Sequence, residues 1–159
     1  MNLYGWHNGN WQSSLLSGTP RFNNAYTNGL TMQLANRLGT SNMFGQGFTY
    51  PSRISRGLGF AETTLGFRSS YWWRWSFTRK NWVFSVARDL ARRQRPFIVG
   101  YFSDWHYAIG YGVAECQTHG WERHSWVYIY PAWRTNNTQD KWIPKSTIFG
   151  IWGVYNFYR

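Results

Sequence analysis

Cysteine and acidic side chains are scarce in this sequence of 159 residues, which has one cysteine, Cys116, and six carboxylates. A lone cysteine forms neither an internal disulfide nor a cysteine-based zinc site, so neither is expected to hold the fold together. Charged residues make up 14% of the chain and hydrophobic ones 43%, which excludes a disordered, highly charged chain. No apolar run is long enough to span a bilayer, and the first six residues lack the features of a signal peptide.

Several motifs for catalysis and cofactor binding are missing as well. No G-x-x-x-x-G-K-[ST] motif occurs and no G-x-G-x-x-G opens a helix, so no phosphate-binding loop is predicted. The G-x-S-x-G nucleophile elbow is absent, and no pair of carboxylates is set for glycoside chemistry. His119 and His124 lie close in sequence with only Glu122 nearby, whereas a zinc site needs three or four ligands. We therefore expect no metal and no cofactor.

Aromatic residues and positive charge are abundant instead. The chain has 12 Trp, 11 Tyr and 11 Phe, and its 17 basic and six acidic residues give a net charge of +11. Such a charge attracts polyanions, although a basic surface that only aids solubility is an equally simple interpretation. The aromatic residues are suited either to a bulky core or to a binding cleft. The run Trp73-Arg74-Trp75 also suits stacking on single-stranded nucleic acid.

Two amphipathic helices are predicted. The first covers residues 25–38, where apolar residues recur every four positions and Gly39 follows as a C-cap. The second covers residues 78–94, with Thr78 as its N-cap and Pro96 as its stop. Basic residues crowd the end of this second helix, where they complement the helix dipole.

The other segments complete an α+β domain over residues 1–159. Residues 1–22 are predicted as an extended N-terminal segment. A shorter helix is predicted to open around Pro51 and to end at Gly57 and Gly59, and residues 71–75 are either a strand or an aromatic loop. Strands are predicted at 63–69, 97–102, 105–115, 125–130 and 149–158. Helices followed by an antiparallel sheet are typical of the α+β class.

His106 stands at the start of a predicted strand, directly after a turn. At such a sheet rim an imidazole can act as general base for a nucleophile from another element, whereas the plainer interpretation is a structural histidine. The segment Arg95–Phe102 followed by His106–Gly112 resembles the R-P-(apolar)-G-(apolar), short turn, H-Y-(apolar)-x-x-G-Y pattern of papain-like cysteine peptidases. It is most similar to the bacterial group related to bacteriocin-leader peptidases and staphopains, and the order of elements over 20–158 is similar too.

The resemblance implies a papain-like fold, with N-terminal helices packed on a C-terminal antiparallel sheet. It implies a hydrolase that cleaves a peptide or other acyl bond through a Cys-His dyad, with His106 as the catalytic histidine. The family's nucleophile lies at the first turn of the first helix, where this chain reads Asn23-Asn24-Ala25. Ala25 therefore occupies the nucleophile position, with Tyr26 as the alternative one residue later. Cys116 is no substitute, because it lies about 30 Å along the strand from His106 at roughly 3.3 Å per residue.

Two explanations for Ala25 stay open: alanine replaces a native cysteine, or the protein is a natural pseudoenzyme. The residue that orients the family's histidine falls at Tyr130, and the family's oxyanion glutamine falls near Thr19, with Gln12 the nearest upstream glutamine. The expected partner is a peptide or protein substrate, and an anionic partner is possible through the arginine-rich surface. The alternative to the hydrolase is a non-enzymatic basic, aromatic-rich module that binds nucleic acid or another anionic partner within a larger assembly.

Overall fold

The computed structural model of the protein describes residues 33–43, 46–65, 68–102, 105–117, 123–130 and 140–158. The chain divides into two compact units, one formed by Met1–Ser70 with Asn156–Arg159 and the other by Tyr71–Tyr155. The predicted extended segment 1–22 and the first part of the predicted helix 25–38 lie outside the described residues. A single domain over residues 1–159 stays a prediction.

In the first unit, the helix predicted to end at Gly39 does end there. Residues 33–38 are helical, and Gly39 has a φ of 58°, the left-handed conformation that glycine adopts at low cost. The amide of Thr40 donates to the carbonyl of Ala35 at 2.9 Å, which satisfies one of the last helical carbonyls. The apolar stripe of this helix packs against Gly57, where an added Cβ would lie 2.6 Å from the side chain of Leu38.

The short helix predicted from Pro51 is longer than its glycines indicate. Strands β1 (Ser41–Met43) and β2 (Gln46–Phe48) form a hairpin, followed by the 3₁₀ turn Pro51–Arg53 and helix α1 (Ile54–Leu65). The strand predicted at 63–69 is therefore wrong for its first three residues. The hydroxyls of Thr63 and Thr64 donate to helical carbonyls four residues back, so these two residues fit the helix.

The second unit contains most of a six-stranded antiparallel sheet, with the strand order β3-β8-β4-β5-β6-β7. These strands are β3 (Arg68–Trp75), β4 (Phe97–Tyr101), β5 (His106–Gln117), β6 (Arg123–Tyr130), β7 (Lys141–Pro144) and β8 (Ile148–Tyr158). The α+β class is confirmed, and the predicted strands at 97–102, 105–115, 125–130 and 149–158 all form. Strand β3 precedes the second helix, so the helices do not all come first, and β7 was not predicted.

Helix α2 (Lys80–Arg92) is the predicted second helix, two residues shorter at each end. Thr78 is not its N-cap. Arg79 is the N-cap residue and makes no side-chain capping bond, while the hydroxyl of Ser76 accepts hydrogen bonds from the amides of Thr78 and Arg79, which precede the helix. After Arg92 the chain leaves the helix through Gln94, which has a φ of 54°.

Helix α2 packs on one face of the sheet, called here the α2 face. Phe97 is fully buried on this face and pairs in register with Gly110 of β5 and Gly153 of β8. Its ring lies over Gly110, while Leu90 of α2 lies over Gly153. The core between helix and sheet is formed mainly by Val83, Phe84, Val86, Ala87, Leu90, Phe97, Val99, Tyr101, Ala108, Val127, Ile129, Ile143, Ile148 and Ile151.

Candidate functional site

His106 is the first residue of β5, as the sequence predicted. It pairs in register with Tyr101, the last residue of β4, and the two rings meet edge to face at 6.0 Å between centroids. Tyr101 is fully buried in the core, whereas His106 is half-buried. The buried ring of Tyr101 therefore packs against the imidazole, while His106 as a whole residue is partly exposed.

The residue before His106 has an unusual backbone conformation. Trp105 has a φ of 48°, which is rare for a bulky side chain and costs about 1–3 kcal/mol. Its amide donates to the carbonyl of Phe102 at 3.2 Å, and its ring packs edge to face on that of Phe102 at 5.2 Å. The amide of Phe102 donates in turn to the carbonyl of Thr147 at 2.8 Å. Phe102 and Trp105 are therefore each held by a backbone hydrogen bond and by the contact between their rings, and Trp105 leads directly into β5.

The two residues after the turn point to opposite faces of the sheet. Since side chains alternate along a strand, His106 lies on the α2 face with buried Ala108, and Tyr107 lies on the other face. The Tyr107 ring packs on Phe149 at 5.6 Å and on Trp152 at 5.9 Å. Burial raises the pKa of the Tyr107 hydroxyl, so this residue remains a neutral packing group. Packing thus accounts for Tyr107, and His106 remains the candidate for chemistry.

Tyr130, which stands at the position of the family's orienting residue, does not fit that role. It ends β6 at the same edge of the sheet, but it pairs with Ile109, which lies on the face opposite to His106. The preceding residue, Ile129, is the one buried on the α2 face. The sequence alone could not show this, because a register shift of one residue would reverse the faces.

Lys141 is a neighbour of this region that sequence reasoning missed. It begins β7, pairs with Ile129, and places its ammonium 5.7 Å from the ring centroid of Tyr101. Tyr101 therefore contacts the imidazole of His106 and also lies under the Lys141 cation. The register that brings these groups together depends on β7, which no motif in the sequence indicates.

The remaining predicted site residues do not come together in the described structure. Cys116 is exposed near the other end of β5, far along the strand from His106. Ala25, Tyr26, Thr19 and Gln12 lie outside the described residues. Across the described parts of the chain, no group of three His, Cys, Asp or Glu residues is placed to hold a metal ion. Among those same parts, no helix combines the length and the apolar character that crossing a membrane needs.

Comparison of the chain with protein-family models, with curated proteins and with solved structures gives no match. The functional argument therefore depends on the residues themselves.

Proposed function

We propose that this chain is a papain-like cysteine hydrolase domain that is inactive as the sequence stands, because Ala25 occupies the position of the nucleophile. The observation that carries the proposal is the place of His106, half-buried at the first position of β5, directly after the α2–β4 unit. The same order of helix, strand and histidine-led strand underlies the resemblance to papain-like peptidases.

The chemistry follows from a cysteine at position 25. Its thiolate would attack the carbonyl carbon of a peptide or other acyl group, and His106 would hold the thiol proton and then deliver it to the leaving group. Backbone N–H groups at the first turn of the helix would stabilise the oxyanion, and the helix dipole would lower the pKa of the thiol. Water would then release the acyl group in a second step.

The surroundings of His106 support a general base rather than a simple packing residue. A base must be held in one orientation while it still reaches a substrate. The ring of Tyr101 and the strained turn at Trp105 supply the first condition, and the partial exposure of His106 supplies the second.

Introducing cysteine at position 25 tests the proposal. In a Cys116→Ser background, the Ala25→Cys thiol is expected to react with iodoacetamide at pH 6 at least about tenfold faster than Cys116 does in the parent chain. Adding His106→Ala is expected to remove this advantage, since the imidazolium stabilises the thiolate. Mass spectrometry of timed samples gives both rates.

The matched control is Tyr26→Cys in the same background, which places a thiol one residue along the predicted helix. The proposal expects it to react no faster than exposed Cys116. If the Ala25→Cys thiol reacts at the rate of Cys116 whether or not His106 is present, the hydrolase proposal is wrong.

A further inference from the structure

A basic, aromatic surface lies between edge strand β3 and helix α2. It is defined by Trp72, Arg74, Trp82, Arg93 and Tyr155 and is called here the Arg–Trp surface. Trp72 stacks on Tyr155 at 5.3 Å with 14° between the ring planes. The guanidinium carbon of Arg93 lies 4.2 Å from the centroid of the Tyr155 ring, and that of Arg74 lies 5.2 Å from the centroid of Trp82. Trp72 and Arg74 are two residues apart on β3 and therefore lie on the same face of the strand, so these two sets of contacts belong to one surface.

These indoles remain open to solvent although each has a partner. Trp72 is 41% exposed and Trp82 is 46% exposed. An indole ring has flat faces on which another flat group can stack, and contact with an arginine or another ring limits the orientations of the indole. Both rings are thus pre-positioned to receive a flat ligand.

Positive charge is concentrated in the segment that builds this surface. Residues 71–95 contain seven basic residues and one acidic residue, so this segment carries +6 of the chain's net charge of +11. The acidic residue, Asp89, pairs with Arg93 at 3.0 Å, but an exposed pair of this kind is weak. Lys80 donates a hydrogen bond to the carbonyl of Ile148 at 2.7 Å, and Arg88 pairs with Glu115 at 3.0 Å. Arg74 and Arg93 are therefore the cations that lie against the rings of this surface. The basic residues are Arg74, Arg79, Lys80, Arg88, Arg92, Arg93 and Arg95.

We propose that the Arg–Trp surface binds single-stranded nucleic acid. Each nucleotide offers a flat base that stacks on an indole and a phosphate that pairs with a guanidinium, so one ligand satisfies both components of the surface. An acidic peptide would match the charge but would leave the exposed indoles uncovered. Duplex DNA would also match the charge, but its bases are already stacked on one another. This inference is independent of Ala25 and His106.

Binding of a fluorescein-labelled dT12 oligonucleotide to the unmodified chain tests this proposal by fluorescence anisotropy over a series of salt concentrations. We expect the affinity to fall as salt rises, and to be higher for dT12 than for a duplex of equal length. Trp72→Leu and Trp82→Leu are each expected to weaken binding about tenfold without changing the salt dependence, since they remove a stacking ring and no charge. Trp72→Phe keeps a ring on Tyr155 and is expected to retain part of the affinity. This variant therefore distinguishes the loss of a stacking ring from the loss of folding.

Arg74→Gln and Arg93→Gln are expected to weaken binding and also to make the salt dependence shallower, by about 0.7 in the slope for each lost phosphate contact. The matched controls are Trp142→Leu on β7 and Arg123→Gln on β6. Both residues are exposed, and their strands lie at the edge of the sheet opposite to β3. Thermal unfolding of every variant shows that it is folded.

Three outcomes would overturn the proposal. The first is an equal loss of affinity in the control variants, which would assign binding to overall charge. The second is tryptophan variants that bind as tightly as the parent, which would leave a purely electrostatic polyanion site. The third is no binding of dT12 with binding to vesicles of anionic lipid instead, which would assign the surface to a membrane.

Discussion

Replacing Gly150 by alanine is expected to lower the free energy of unfolding by about 3 kcal/mol, the upper end of what overpacking of a core usually costs. Gly150 pairs with Gly100 across β4 and β8, on the face of the sheet that carries Tyr107. A Cβ at Gly150 would overlap the ring of Trp152, which is fully buried, so either the ring or the backbone must shift. Urea unfolding followed by circular dichroism gives the free-energy difference.

Gly59→Ala is the matched control for this change. Gly59 lies within helix α1, and in the described parts of the chain no atom other than those of its chain neighbours and the nearby helix backbone lies within 4 Å of a Cβ placed there. Alanine at this position is expected to stabilise the helix by about 0.5–1 kcal/mol. Combining Gly150→Ala with Trp152→Leu should cost less than the sum of the two single changes, because the smaller side chain removes the clash. Equal effects of Gly150→Ala and Gly59→Ala would contradict the packing described for this face.

Replacing Phe97 by alanine is expected to destabilise the protein by about 3–5 kcal/mol, as for other large buried aromatic residues. Phe97 is fully buried, and both of its cross-strand partners, Gly110 and Gly153, are glycines. Since glycine has no side chain, neither of the two paired positions can fill the space that the ring leaves. The cost should therefore lie near the top of this range in the same urea measurement.

The substitution Gly110→Ala checks this explanation, because its effect on the free energy of unfolding should have opposite signs in the parent chain and in Phe97→Ala. In the parent chain, Gly110→Ala is expected to destabilise, because its Cβ would overlap the ring of Phe97. In the Phe97→Ala background the same substitution should stabilise, since the added methyl group enters the cavity. Destabilisation by Gly110→Ala in both backgrounds would show that Gly110 is required for another reason than the ring of Phe97.

The sheet around the candidate site could be predicted from the sequence because its signals are local. Alternation of side chains in 105–115 and the apolar run at 97–102 indicate β5 and β4, and His106 follows directly as the residue that opens β5. The face on which each side chain lies depends on the pairing of strands, so the sequence could not show that Tyr130, at the position of the family's orienting residue, lies on the face opposite to His106. The predicted nucleophile, Ala25, stays a prediction.

Other features depend on contacts between residues far apart in sequence. Gly57 lies inside helix α1 and packs against Leu38. Helix propensity describes each residue by itself, so it predicts a helix end at this glycine and cannot account for the contact with Leu38. Strand β7 is short, ends in Pro144 and forms through pairing with β6. The Arg–Trp surface is built from a strand and a helix. The sequence shows that this region is rich in arginine and tryptophan, but it does not show which of these side chains come together.

The most direct measurement of the central claim is the contact between the methyl group of Ala25 and the imidazole of His106 in the chain as it stands. With alanine methyl groups labelled with ¹³C, we predict a nuclear Overhauser effect from the Ala25 methyl to the His106 ring protons. We also predict that the shift of this methyl follows the titration of His106 and loses that dependence in His106→Asn. A methyl group that shows no such effect and no response to the imidazole would mean that the two residues are apart, and no hydrolytic pair would exist in this protein.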